Sequence, residues 1–82
     1  GGRPPSIGDE VYAADGRVGR VARVLRTENA VPRYMVVATG RVRRRYPVVA
    51  CALITAVEGS IVRVRGSKGA LGRLSETLPL LV

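Results

Sequence analysis

Histidine, tryptophan and phenylalanine are absent from the 82 residues, and there is a single cysteine, Cys51. Without histidine and with one thiol the chain can build no Cys/His zinc set, no internal disulfide and no catalytic triad based on histidine. No apolar run approaches the roughly 20 residues that span a bilayer, and no signal-peptide hydrophobic region is present. Acidic residues are scarce, six against fourteen cations, which leaves a net charge of +8. Aromatics are scarce as well, three tyrosines in all. These absences predict a soluble, cytoplasmic, basic domain with no metal and no cofactor.

Valine and arginine are abundant. Thirteen of the fourteen cations are arginine, and fourteen valines lead the aliphatic side chains. An apolar fraction of 46% is ordinary for a folded domain and too high for a disordered chain. Each fully buried aliphatic contributes roughly 1.5–3 kcal/mol. Ordering a chain this short costs a comparable total, so the margin is thin and a partner or second copy would help. The opening Gly1-Gly2-Arg3, without methionine, fits a piece of something longer.

Residues 1–6 are polar and proline-rich and read as a disordered tail. Glu10-Val11-Tyr12-Ala13 reads as a short strand, followed by Asp15-Gly16, a strong hairpin signal because glycine supplies the positive φ that a tight primed turn needs. Further strands are predicted over 18–26, 33–38, 46–49, 54–57 and 61–65, the fourth at an edge because Pro47 interrupts it. In the last strand Ile61, Arg63 and Arg65 share one face, with Val62 and Val64 on the other. Residues 67–78 form the only helix pattern, with Ser67 as cap, Leu71, Leu74 and Leu78 on a stripe and Pro79 as stop.

The stretch 17–26 (RVGRVARVLR) resists plain alternation, because Arg17, Arg20, Arg23 and Arg26 recur every third residue. A basic helix in a nucleic-acid groove is one reading. Gly19, three valines and a length of ten residues favour instead a strand bent by a bulge near Ala22, which returns Val21 and Val24 to one face.

The order Gly8-Asp9-x-Val11-Tyr12-x-x-Asp15-Gly16-x-Val18-Gly19-x-Val21, then Tyr34-Met35-Val36-Val37-Ala38-x-Gly40, then Ile54-Thr55-Ala56-Val57-Glu58-Gly59-x-Ile61-Val62-Arg63-Val64 resembles the PRC-barrel family across residues 7–65. The resemblance implies an all-β fold, a small Src-homology-3-like barrel of five or six strands over 7–66. One short C-terminal helix and an apolar tail over 67–82 would pack on the barrel or on a partner. It also implies a non-enzymatic binding or assembly module that meets another protein, as do the barrels of the reaction-centre H subunit and of a ribosome maturation factor. The family usually places a proline just before the isoleucine of the fifth strand; here Pro47 lies seven residues ahead of Ile54, which leaves the fourth strand's register open. Gly8-Asp9 with Val11, Gly16, Gly19 and Val21 is also similar to the KOW motif, a strand–loop–strand that touches RNA.

Two surfaces are candidates for contact. Arg41, Arg43, Arg44 and Arg45, next to Tyr46, form a cluster whose guanidiniums suit bidentate phosphate contacts and whose ring suits base stacking. Its plainer reading is a solvated, arginine-rich hairpin rim. Leu71, Leu74, Leu78, Leu80 and Leu81 form an apolar series expected at an interface, including one between two copies of the chain. Cys51 sits among aliphatics and reads as a small core residue, and the scattered carboxylates offer no acid–base pair. The sequence thus predicts a protein partner with nucleic acid as the alternative, no membrane insertion and no small-molecule substrate.

Overall fold

The computed structural model describes residues 4–73. Leu74, Leu78, Leu80 and Leu81 lie outside the described residues. The elements run β1 (Glu10–Ala13), β2 (Gly16–Arg26), β3 (Pro32–Ala38), β4 (Val48–Ala50), a 3-10 turn (Cys51–Leu53), β5 (Ile54–Glu58), β6 (Ile61–Val64) and α1 (Lys68–Gly72). The fold is all-β with one short helix. No described helix is long and apolar enough to cross a membrane.

The six strands form one sheet in the order β4-β3-β2-β1-β6-β5. All neighbours are antiparallel except β1 and β6, whose parallel pairing joins Glu10–Tyr12 to Ile61–Arg63. The order places β4 and β5 at opposite edges, yet only the three residues Cys51–Leu53 separate them in the chain. The sheet must therefore curl until its two edges approach at that corner. Curling is what lets a single sheet enclose its own core: Val11, Val21, Met35, Val37, Val49, Val62 and Val64 are all buried on the inner face.

The three-residue arginine period in β2 resolves into two β-bulges. Against β1, Val11 pairs with Gly19 and Tyr12 with Arg17, so Val18 is an extra residue. Against β3, Val21 pairs with Val37 and Arg23 with Val36, so Ala22 is a second. Each bulge adds one residue to the ordinary repeat of two, and a period of three then keeps one face. Arg17, Arg20 and Arg23 accordingly all emerge exposed, while Val21 between them is buried.

The fourth strand's register is regular. Val36 pairs with Val48, Met35 with Val49 and Tyr34 with Ala50, and the same register continues to an isolated bridge between Thr39 and Arg45. Pro47 removes one donor but its carbonyl still accepts from the Val37 N–H at 3.1 Å. Residues 40–44 are thereby the five-residue tip of a β3–β4 hairpin.

Both ends of the described segment are tied to the sheet. Within the segment read as a tail, Pro5 is buried, and Ser6 N–H donates to Asp9 Oδ2 at 2.9 Å. Ser67 caps α1, its hydroxyl accepting from Ala70 N–H at 3.1 Å, as the sequence predicts. Asp15, expected to serve its own turn, reaches further: Oδ1 accepts from Lys68 N–H at 2.8 Å and joins the β1–β2 turn to the helix. That docking directs Leu71 inward, where it is 3% exposed. Leu71 is therefore a core residue, which corrects its assignment to an interface.

Candidate anion-binding groove

Where β3 ends at Ala38, the hairpin tip turns aside while β2 runs on toward Gly16. The space between them is an open groove of about 600 Å³. Arg17 and Arg20 line it from β2, and Arg41 and Arg44 from the hairpin tip. Between them lie Gly19, Ala22, Ala38 and Gly40, together with Val18 and Val21. Gly40 has a φ of +83°, and a Cβ there would collide with the Arg43 carbonyl oxygen, so the tip closes only around glycine.

Glu10 organises the β2 wall. It stands on the same face of β1, directly across from Arg20. Its Oε1 accepts from Arg17 Nε at 3.1 Å and lies 3.7 Å from Arg20 Nη2. Arg20 Nη1 also donates to the Gly8 carbonyl at 3.2 Å. These contacts are solvent-exposed and contribute little to stability. Their effect is positional, since they hold two long side chains in place before anything binds. Among the described residues no carboxylate pairs with Arg41 or Arg44. The groove thus presents four guanidiniums, two of them braced by a single carboxylate.

Of the predicted cluster, Arg41 and Arg44 line the groove, whereas Arg43, Arg45 and Tyr46 do not. Arg45 is engaged through its backbone in the bridge to Thr39, and Tyr46 is 44% exposed beyond it. Arg17 and Arg20 join Arg41 and Arg44; the sequence offers these two, with Arg23 and Arg26, as the outside of a bent strand that could extend the same positive surface. The signal for them was the three-residue period, which needed both bulges to be read. On the same outer face Arg63 stands over the Tyr12 ring, 5.9 Å from its centroid, with its Nε donating to Glu58 at 3.1 Å.

Asp9 and Asp15 serve the backbone. Asp9 is only 5% exposed and receives the Ser6 N–H, and Asp15 receives Lys68 N–H. No three His, Cys, Asp or Glu side chains of the described residues come together as a metal site.

Cys51 is half-buried and not a core residue. It borders a second, shallower cleft beside Val31, Pro32 and Tyr34, because the 3-10 turn carries it out of the β4 alternation. Burial raises its thiol pKa above the ordinary value, and the nearby positive charge of Arg26 partly offsets the rise. The folded protein should therefore react with iodoacetamide at pH 8 more slowly than the urea-unfolded chain, and faster as pH climbs. Arg26→Ala removes the offset and should slow the folded rate further. A folded thiol that outpaces the unfolded one would contradict this.

Compared with known protein families and with curated proteins, the chain matches none.

Proposed function

We propose that this chain is a non-enzymatic binding module of the kind the PRC-barrel resemblance implies, and that it meets an anionic partner through the arginine groove. One observation carries the reading: a bulged strand and a hairpin tip, distant in sequence, bring four arginines to one open groove, and a carboxylate holds two of them in place. The curled sheet acts as a rigid frame, and the outer surface does the binding.

The discriminating experiment compares variants of equal charge. Arg41→Ala/Arg44→Ala removes half of the groove's cations; Arg33→Ala/Arg65→Ala removes as many from exposed positions elsewhere. Titration of a labelled heparin oligosaccharide, chosen as a polyanion neutral to partner class, should show the groove pair weakening binding by about tenfold, roughly 1.4 kcal/mol. The matched pair should change it by less than about twofold. Equal losses would mark bulk charge as the cause and remove the groove from the account.

A further inference from the structure

Resting on that reading of the groove, we infer that its occupant is the phosphodiester backbone of a single-stranded nucleic acid, bound without regard to base sequence. The first ground is the spacing of the cations. With Val18 as an extra residue, Arg17 and Arg20 sit about two strand steps apart on one face, ~7 Å. That interval is comparable with the separation of successive phosphates along an extended strand. Arg41 and Arg44 face them from the hairpin tip, so a strand lying in the groove meets cations on both sides.

The second ground is what the groove lacks as an interface. Protein partners bind through aromatic, aliphatic or single arginine anchors set in desolvated pockets, with charge otherwise depleted at the centre of the contact. Here four arginines line the groove, and its lining, in which Val18 and Val21 join the glycines and alanines, exposes more polar than apolar surface. Nucleic-acid interfaces have the opposite character, polar and strongly positive. The glycines and alanines also allow a sugar–phosphate chain to approach closely. None of the three tyrosines lines the groove. Bases therefore find no stacking platform inside it, and binding should be indifferent to composition.

The cations themselves suit phosphate. All four are arginine, whose planar fork takes two phosphate oxygens at once. Glu10 occupies Nε of Arg17 and lies near Nη2 of Arg20, which limits their motion before a ligand arrives.

Fluorescence anisotropy with labelled 12-mers of oligo-U and oligo-A, a duplex of the same length and a poly-Glu peptide of matched charge tests the inference. The two single strands should bind within about threefold of each other. With four phosphates neutralised, their log affinity should fall against log salt with a slope of about −2.8, close to a 50-fold loss between 50 and 200 mM. Arg41→Ala/Arg44→Ala should halve that slope to about −1.4. Circular dichroism confirms that the variant is folded. If poly-Glu binds as tightly as the oligonucleotides and loses affinity in the same variant, the groove is an anion site but the nucleic-acid assignment is overturned. A duplex bound at least as tightly overturns the single-strand assignment. If nothing binds, the reading of the groove falls as well.

Discussion

Replacing Gly19 with alanine should destabilise the protein by about 3 kcal/mol, a large share of the total for a chain of this size. Gly19 lies in β2 just before the pair Arg20–Ala38, where β3 stops and its last carbonyl crosses over β2. A Cβ at Gly19 would collide with the Ala38 carbonyl oxygen, and would lie 3.0 Å from the Ala38 carbonyl carbon and 3.2 Å from Val37 Cγ1. The first two obstacles are backbone, so relief requires β2 and β3 to part. That would open the bulged segment that carries Arg17 and Arg20. For a domain of 60–100 residues, such a loss lowers the thermal midpoint by roughly 12–24 °C. Gly69→Ala is the control: its Cβ would meet nothing within 4 Å, and alanine in α1 should leave stability unchanged or raise it by about 0.5–1 kcal/mol. A Gly19→Ala midpoint within about 5 °C of the parent would show that the close approach is not essential.

Met35→Ala should cost about 2–5 kcal/mol in chemical denaturation. Met35 heads the largest fully buried side chains and is 0% exposed. It belongs to β3, paired with Val24 on one side and Val49 on the other, so its side chain fills the inner face between β2 and β4. Most of its neighbours in the core are valines, which are too short to collapse into the space left behind. Met35→Leu keeps the volume and should cost less than about 1.5 kcal/mol. Similar losses for both variants would mean that this part of the core is not packed as described.

The strands that follow local rules were the legible part of the fold. Glu10–Ala13 and the Ile61–Val64 hairpin alternate cleanly and are flanked by glycine turns, and both stand where the pattern predicts them. The bulge at Ala22 was legible because without it arginine would enter the core. The bulge at Val18 was not, since it arises from the pairing with β1, and the same holds for the parallel β1–β6 ladder, which joins segments about 50 residues apart. Asp15 shows a similar limit. Its residue type announces a hydrogen bond to nearby backbone, but the backbone it finds is 53 residues away and is brought near by the curl of the sheet.

The candidate site divides along the same line. The run Arg41, Arg43, Arg44 and Arg45 is conspicuous as composition, yet only two of the four line the groove, because the Thr39–Arg45 bridge sets how the tip is displayed. Their counterparts Arg17 and Arg20 belong to a three-residue period that does not by itself say what they face. They join the site only because β3 ends early and leaves the first part of β2 uncovered on that side. Cys51 was misplaced for a related reason: a continuous apolar run looks like core, whereas a 3-10 turn within it moves the thiol to a cleft.

Backbone amide chemical shifts, followed by two-dimensional NMR while single-stranded oligo-U is added at low salt, test the groove most directly. The account predicts that the largest changes fall on residues 17–22 and 40–44 together, with the inner-face valines of β3 and β6 nearly still. Largest changes on β5, β6 or α1, with the two groove segments silent, would contradict it.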